Sequence, residues 1–449
     1  MQHTIDAGRL GEGGRLMLEA IEACVHCGFC LPVCPTYQLL GEEMDSPRGR
    51  IYLMKGVLEG TLAADDVATH LDRCLGCLAC LSACPSHVRY DHLVTLFRER
   101  LERSRSRRAV DRLLRRGMLA VLPYPGRLRR AARLGQGLRG LAGLLPGRLR
   151  AALELLPPAL PESRPLPAVF PATGRRRARV ALLSGCVQQV LAPQINEAAL
   201  RVLSYNGVEV LVPAGQGCCG ALAMHTGEAE QARALARRNL AAFAAAEVDA
   251  IITTAAGCGS AMKEYPLLFH GQPEHQAAQA FAARVRDFSE FLEELQPLQP
   301  GPVAPKRVAY HDACHLAHAQ GIRQAPRQLL RRIPNLELVE LADGETCCGS
   351  AGIYNLEQPE LARQLGLRKA QAVQGTGAQA VVTGNIGCMV QIEASLRRAG
   401  SSVAVLHIAQ VLDEAYRRAV DGDGRPPEAM PAAPALRTAP TGGHQEGSR

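Results

Sequence analysis

The sequence contains no tryptophan, and aromatic residues make up only 4% of its 449 residues. Binding of single-stranded nucleic acid relies on bases stacking on aromatic side chains, so we expect no nucleic-acid partner. No apolar run approaches the ~20 residues that a membrane-spanning helix needs. The N-terminus, MQHTIDAGRLGEGG, lacks the basic start and apolar stretch of a signal peptide. We therefore expect a cytoplasmic protein whose cysteines are kept reduced.

Motifs for nucleotide cofactors are also missing. The sequence has no P-loop and no G-x-G-x-x-G between a predicted strand and a predicted helix. Oxidation of an alcohol releases a hydride equivalent, which a two-electron cofactor must accept before single electrons can move on. If the chain serves such a reaction, the flavin or nicotinamide must therefore be bound by a partner subunit.

Cysteine, in contrast, is abundant, with 16 residues. Two runs share the spacing C-x2-C-x2-C-x3-C-P, by which bacterial ferredoxins hold a pair of 4Fe-4S clusters. In those ferredoxins the cysteine before proline ligates the other cluster. We therefore predict one cluster held by Cys24, Cys27, Cys30 and Cys84, and a second held by Cys74, Cys77, Cys80 and Cys34. The alternatives are zinc, whose sites use two simpler C-x-x-C pairs, and a motif that has lost its metal.

Several arginines lie near these cysteine runs in the sequence. A cation close to a cluster favours the reduced state, because reduction adds a negative charge to a poorly screened site. An arginine that is solvated at the surface would have little such effect. The candidates are Arg48, Arg50, Arg73 and Arg89.

A second cysteine pattern is duplicated in the C-terminal half. An adjacent pair followed by glycine, CCG, occurs in both copies, and the cysteines follow predicted strands. Helical stretches fill the gaps, so we predict parallel α/β units with the cysteines at the carboxyl ends of the strands. These residues form a candidate additional metal or iron–sulfur site, with a thiol–disulfide redox site and plain core packing as alternatives. They are Cys186, Cys218, Cys219 and Cys258 in the first copy and Cys314, Cys347, Cys348 and Cys388 in the second.

Three histidines surround the first cysteine of the second copy, in the string YHDACHLAH. Histidine beside a thiolate can move protons, or it can orient the cysteine through a hydrogen bond. These interpretations apply to His311, His315 and His318. Asp312 is predicted to cap the helix that follows.

Composition and pattern predict a multidomain α+β protein, in which a helical two-cluster ferredoxin-like domain precedes two duplicated α/β cysteine-rich domains. The segment between them is basic and amphipathic, which suits a membrane surface, an acidic partner, or solvated helices that bridge the two halves. The predicted parts are a two-cluster domain at 1–97, a basic, proline-rich helical connector at 98–176, cysteine-rich repeats at 177–300 and 301–423, and a disordered tail at 424–449.

Together these motifs resemble the CCG-repeat iron–sulfur subunits of membrane-associated flavin dehydrogenases. The string CVHCGFCLPVCPTYQLLGEEMDSPRGRIYLMKGVLEG is most similar to the iron–sulfur subunits of glycolate oxidase, also called glycolate dehydrogenase. The resemblance implies an electron-transfer subunit of an oxidoreductase that acts on CH–OH donors. It also implies FAD on a partner subunit that oxidises glycolate, a second flavoprotein-like subunit, and quinone or another membrane acceptor reached from the inner face of the cell membrane.

The same resemblance keeps other functions open. Related subunits serve the oxidation of glycerol 3-phosphate or lactate, and the likeness to heterodisulfide reductase implies a thiol–disulfide reductase. The fullest form of the cysteine-rich repeat ends in C-x-x-C, whereas the copies here end in the single cysteines Cys258 and Cys388. Each repeat therefore lacks one candidate ligand.

Overall fold

The structure is a computed structural model that describes residues 1–423, and the predicted disordered tail at 424–449 lies outside the described residues. The N-terminal region is helical, and apolar side chains from its helices form one core that also includes Cys24, Cys74 and Cys80. Pro35, which follows the first cysteine run, begins the second helix, where a missing N–H costs nothing. The helices are α1 (Gly14–Glu22), α2 (Pro35–Leu40), α3 (Pro47–Leu58), α4 (Ala64–Arg73), α5 (Ala79–Ser82) and α6 (Tyr90–Ser104).

Three helices form the connector: α7 (Ala109–Val121), α8 (Pro125–Gly137) and α9 (Gly147–Leu155). Arg115 on α7 is buried and joins several parts of the chain. Its guanidinium pairs with Glu102 at 3.1 Å and with Glu357 at 2.7 Å, and it donates a hydrogen bond to the Thr226 carbonyl at 3.0 Å. The connector therefore bridges the N-terminal region and both cysteine-rich units.

The first cysteine-rich unit is built on a five-stranded sheet with the order β1-β3-β2-β4-β5. All neighbouring strands are parallel except β1, which lies within the range predicted for the connector and pairs antiparallel with β3. The unit comprises β1 (Val169–Phe170), β2 (Ala178–Leu182), α10 (Gln188–Leu191), α11 (Gln194–Tyr205), β3 (Val208–Leu211), α12 (Ala221–His225), α13 (Ala229–Ala244), β4 (Ala250–Thr253), α14 (Ala256–Lys263), α15 (Tyr265–Leu268), α16 (His275–Arg284), β5 (Val285–Asp287) and α17 (Phe288–Leu295).

The second unit repeats this topology with the strand order β7-β6-β8-β9, all parallel. The duplication and the predicted fold class are thereby confirmed, whereas the boundaries proposed between the parts stay predictions. The unit comprises β6 (Lys306–Tyr310), α18 (Gln324–Arg331), β7 (Leu336–Glu340), α19 (Tyr354–Glu357), α20 (Pro359–Gly375), β8 (Ala380–Thr383), α21 (Ile386–Arg398), β9 (Ala404–His407) and α22 (Ile408–Asp423), with a π-helical turn at His315–Ala319.

The two units share one hydrophobic core, in which α11 packs against α22. An ion pair between Arg201 and Asp413 at 2.8 Å joins these helices. The central strands β4 and β8 are buried along their whole length, as expected for strands covered on both faces. The Ala256 amide donates to the Gly384 carbonyl at 3.1 Å, so the segments that follow β4 and β8 lie against each other. Both sets of strand ends therefore open toward one space.

None of the helices within residues 1–423 is both long enough and apolar enough to cross a membrane.

Candidate metal centres

The first cysteine run forms a tight loop near the surface. Its first three cysteines, Cys24, Cys27 and Cys30, line one small cavity together with Cys80 and Cys84. Left-handed backbone at His26 and Gly28, with φ of 56° and 86°, folds the loop back on itself. Burial raises the pKa of Cys24, and the nearby thiols of Cys84 and Cys27 raise it further. Cys84, from the second run, therefore lies beside the first loop.

The second cysteine run is deeper in the molecule, and Cys74, Cys77 and Cys80 are all buried. Burial raises the pKa of Cys77 well above its usual value, with smaller contributions from Cys314, Cys34 and Cys74. Cys34, from the first run, thus lies beside the second loop. The structure places each proline-preceding cysteine next to the other run's loop.

The chemistry of these donors suits a cationic metal cluster. Burial raises the pKa of Cys30 to about 11, so at neutral pH this thiol stays protonated unless a metal takes the place of the proton. Cys74 is different: burial raises its pKa, but the positive charges of Arg50 and Arg98 outweigh this and lower it overall. Buried sulfurs that converge from two loops, some of them next to cations, are the ligands that iron–sulfur clusters require.

Of the four candidate arginines, Arg50 is the one that reaches a cysteine sulfur. Its side chain is 1% exposed, and its Nη1 lies 3.8 Å from Cys34 Sγ. The guanidinium also donates to the Thr36 hydroxyl at 3.0 Å, to the buried carboxylate of Asp45 at 3.2 Å and to the His70 carbonyl at 2.8 Å.

The side chains of the other three arginines also pair with acidic residues. Arg73 pairs with Asp45 at 2.9 Å, Arg48 with Glu43 at 2.8 Å and Arg89 with Asp91 at 2.6 Å. Their side chains are also more exposed than that of Arg50, which leaves Arg50 as the cation best placed to act on a cluster.

In the first cysteine-rich unit, the four duplicated cysteines come together at the carboxyl ends of the strands. Cys186 follows β2, the adjacent pair follows β3, and Cys258 lies on α14 after β4. The Sγ atoms of Cys186 and Cys218 are 3.4 Å apart. Hydrogen bonds from the thiols of Cys186 and Cys219 lower the pKa of Cys218 well below its usual value. Among Cys186, Cys218 and Cys219, the thiol of Cys218 is therefore the most readily ionised.

The second unit repeats this arrangement. The Sγ atoms of Cys314 and Cys347 are 3.9 Å apart, and the Asn385 amide donates to Cys388 Sγ at 3.3 Å. Cys348 interacts with both Cys347 and Cys388. The four predicted residues of each copy thus meet, as the strand pattern indicated.

The eight cysteines of the two units line a single cavity of about 630 Å³. Leucines and other apolar side chains of α7, α8 and α9 form much of its remaining wall, so the connector covers the cavity. The second cysteine run lies beside it: Leu75 is part of the wall, and His315 Nε2 donates to the Gly76 carbonyl at 2.9 Å. The shared cavity was not predicted from the sequence. The amphipathic pattern of the connector did indicate that its helices bury an apolar face against another part of the protein.

The histidines differ in their surroundings. His311 is fully buried behind Cys348 and Cys388, whereas His315 lines the cavity and packs edge-on against His225 with ring centres 5.0 Å apart. His225 was not singled out from the sequence. His318 accepts a hydrogen bond from the Ser82 hydroxyl at 2.7 Å.

The predicted helix cap at Asp312 is wrong. Its carboxylate pairs with Arg327 at 2.7 Å, and the residue that precedes the π-helical turn is Cys314. A buried carboxylate gains more from the guanidinium than from capping a short turn.

Two protein families match this chain. The 4Fe-4S dicluster domain matches residues 20–88, and the cysteine-rich domain matches twice, at residues 180–263 and 308–393. These matches cover the cysteine runs and both duplicated units, and they establish the chain as an iron–sulfur protein.

Relatives match over most of their length. A probable glycolate oxidase iron–sulfur subunit from Bacillus subtilis is 38% identical over 87% of this chain and 93% of its own. The glycolate oxidase iron–sulfur subunit of Escherichia coli is also 38% identical, over 89% of this chain and 95% of its own. One subunit of the fumarate reductase (CoM/CoB) of Methanothermobacter marburgensis is 30% identical over 88% of this chain and 72% of its own.

Among solved structures, a hypothetical protein from Helicobacter pylori has a similar fold. Its TM-score is 0.55 and its sequence identity 11%, over 90% of this chain and 72% of that one. At this identity, the likeness concerns the fold alone.

Proposed function

This chain belongs to the family of glycolate oxidase iron–sulfur subunits, and from that premise we propose that it is the electron-transfer subunit of a flavin-dependent glycolate (2-hydroxy acid) dehydrogenase complex. FAD on a partner subunit oxidises the substrate, and a second flavoprotein-like subunit completes the complex. Two 4Fe-4S clusters supply one-electron transfer between that flavin and a membrane acceptor, quinone, at the inner face of the membrane.

The strongest support for this proposal is the position of Cys34 and Cys84, each of which lies beside the other run's loop. One cluster would be held by Cys24, Cys27, Cys30 and Cys84, and the other by Cys74, Cys77, Cys80 and Cys34. Because each loop would contribute one sulfur to the other's site, folding of the N-terminal core would bring the two sites close together.

The surface around the first loop is suited to docking the FAD subunit. Cys27 is exposed, and beside it Val25 and Phe29 expose 66% and 63% of their surface. The ring of His26 packs edge-on against Tyr52, itself 59% exposed. Exposed apolar groups next to a redox site indicate an interface, because water would otherwise have to solvate them. We place the electron donor here.

The opposite side of the N-terminal region leads to the cysteine-rich cavity. Cys77 lies close enough to the second unit that Cys314 raises the pKa of Cys77 and Cys77 raises the pKa of Cys347. Cys77 and Cys347 are buried, which keeps water away from the path between the second loop and the second unit. We propose that the duplicated cysteines hold a further iron–sulfur centre there.

A native pull-down tests the proposed function. The tagged chain, purified anaerobically from its own cells, should carry an FAD protein with it and contain about eight iron atoms or more per chain. The preparation should reduce a quinone analogue with glycolate, and not with lactate or glycerol 3-phosphate. Protein that stays free of iron after anaerobic reconstitution would refute the proposal.

One observation favours a second function, thiol–disulfide reduction. Cys186 and Cys218 lie 3.4 Å apart, the pKa of Cys218 is lowered, and both line the cavity. A thiolate poised beside a second thiol can attack a disulfide. If Cys218→Ser abolishes disulfide reduction while the N-terminal clusters keep their EPR signals, this second function is correct. If no disulfide substrate is reduced by the wild type, it is wrong.

A further inference from the structure

We propose that His311 is a metal ligand in the second cysteine-rich unit, so that this unit holds its metal with imidazole and thiolate ligands while the first unit offers thiolates alone. The inference rests on the proposed presence of a metal centre in the cysteine-rich units. It goes beyond that proposal by adding a ligand of a different chemical type and by making the two units inequivalent.

Geometry is the first support. One ring nitrogen of His311 and the sulfurs of Cys348 and Cys388 all lie within 4.8 Å of one another. The three residues are 0%, 1% and 3% exposed. Donor atoms this close together, shielded from water and supplied by two thiols and an imidazole, match the ligand sets of zinc and iron sites.

The state of the imidazole is the second support. Neither ring nitrogen of His311 has a hydrogen-bond partner of normal geometry, although the ring is completely enclosed. Leaving a buried polar atom unsatisfied costs about 1–3 kcal/mol. The Gly344 backbone lies near the ring. Metal-ligating histidines commonly direct one nitrogen toward a backbone carbonyl, and a metal would satisfy the other nitrogen.

Charge is the third support. Lys369 is 2% exposed, and its ammonium group donates a hydrogen bond to the Asp343 carbonyl. Within residues 1–423 no carboxylate lies within ion-pair distance of this ammonium group. The groups near this ammonium group are Cys348, the Asp343 carboxylate, Cys347 and Cys388. A buried cation needs a negative partner, and a divalent metal bound by several thiolates carries net negative charge.

The first unit lacks both residues. When RVALLSGC is aligned with RVAYHDAC, Leu183 takes the place of His311. Ala232 and Ala362 contact the glycines of the two CCG motifs in the same way, and counting seven residues on from these alanines places Asn239 at the position of Lys369. Asn239 is satisfied by the backbone, since it accepts from the Gly217 amide at 2.9 Å and donates to the Cys218 carbonyl at 3.0 Å.

The histidine and the lysine therefore occur together in one unit and are both absent from the other. Each unit lacks the last cysteine of the full C-x-x-C ending, and His311 replaces that missing ligand in the second unit only. A site with both imidazole and thiolate ligands favours iron or zinc. At an iron–sulfur centre, an imidazole in place of a thiolate raises the reduction potential.

The test uses the full-length chain, purified anaerobically, with metals counted by mass spectrometry. If the metal beyond the N-terminal clusters is iron, pulsed EPR on protein labelled with ¹⁵N-histidine should show a nitrogen directly bound to it. If it is zinc, X-ray absorption should show nitrogen at about 2.0 Å beside sulfur at about 2.3 Å. In either case, the nitrogen should vanish in His311→Ser.

Matched variants identify the source of the nitrogen. His315→Gln alters the neighbouring histidine, and Cys258→Ser alters the first unit's counterpart of Cys388; both should keep the nitrogen signal. Cys388→Ser should lose at least half of the metal bound by the second unit. His311→Cys should keep that metal without the nitrogen, because a thiolate replaces the imidazole.

Wild-type protein whose metal has no nitrogen ligand would overturn the inference, as would a nitrogen signal that persists in His311→Ser. Protein with both N-terminal clusters and glycolate turnover, but no metal in the second unit, would overturn this inference while leaving the electron-transfer function intact. If His311→Ser does not fold, the labelled wild type alone decides.

Discussion

Arg50→Met is expected to lower the midpoint potential of the cluster proposed at the second loop. Arg50 is the buried cation beside Cys34, with its Nη1 3.8 Å from the sulfur. If the centre of the cluster is about 7 Å from the charge and the effective dielectric constant is about 20, the charge stabilises one added electron by about 2.4 kcal/mol. This corresponds to about 100 mV for a one-electron couple. Loss of the charge should therefore shift the potential down by about that amount.

An EPR-monitored redox titration of anaerobically purified protein measures the shift. Arg50→Lys keeps the charge and should retain most of the potential. Arg89→Met is the surface control: its side chain is 56% exposed and pairs with Asp91, so water and salt should limit its effect to about 20 mV. A shift under about 20 mV in Arg50→Met, with the cluster still present, would refute the electrostatic reasoning.

The same variant should also be less stable. Asp45 is fully buried, and without Arg50 its carboxylate keeps only Arg73 at 2.9 Å and His70 at 3.2 Å among its ion-pair partners within residues 1–423. Breaking one arm of a buried ion-pair network costs about 3 kcal/mol. Thermal unfolding should show a lower Tm for Arg50→Met, and Asp45→Asn should recover part of the loss in the double variant.

Three further predictions concern ligand exchange, the CCG turn and pH. Cys84→Ser should remove the EPR signal of the first-loop cluster and Cys34→Ser that of the second; loss of the same signal in both would contradict the exchange. Gly349→Ala should lower stability by about 2 kcal/mol, because φ is +88° and the new Cβ would lie 2.8 Å from the Ala362 carbonyl oxygen; an unchanged Tm would refute this. Burial raises the pKa of Glu264 from 4.5 to about 7. The folded state therefore holds an extra proton between these pH values, so stability should fall by about 2 kcal/mol as pH rises from 4.5 to 7. Denaturant unfolding at both pH values should show this fall in the free energy of unfolding, and Glu264→Gln should abolish it. An equal fall in the variant would show that Glu264 is not its source.

Much of the cysteine chemistry follows from the sequence alone. Ligands three residues apart in a loop can face one small volume whatever surrounds them, so the two cysteine runs could be interpreted from spacing. The duplicated α/β units could also be predicted, because alternating strands and helices put the cysteines after parallel strands at one edge of each sheet. Both inferences depend on short-range geometry, which the order of residues specifies directly.

Other features of the sites depend on contacts between residues that are distant in sequence. Four arginines lie near the cysteine runs in the sequence, yet packing buries Arg50 against Cys34 and leaves the others paired with acidic residues. The cavity shared by both units exists because α11 packs against α22 and the connector covers the opening.

The placement of His311 was likewise decided by the tertiary structure. In the sequence, His311 is one of three histidines near Cys314, and the same two roles were considered for all three. Only the fold turns its ring toward Cys348 and Cys388, residues that follow two other strands. The residue types and their local spacing in the sequence therefore determined which metal chemistry this protein is suited to. The tertiary structure decided which side chains surround each site, because burial and long-range packing are properties of the whole chain and not of any segment.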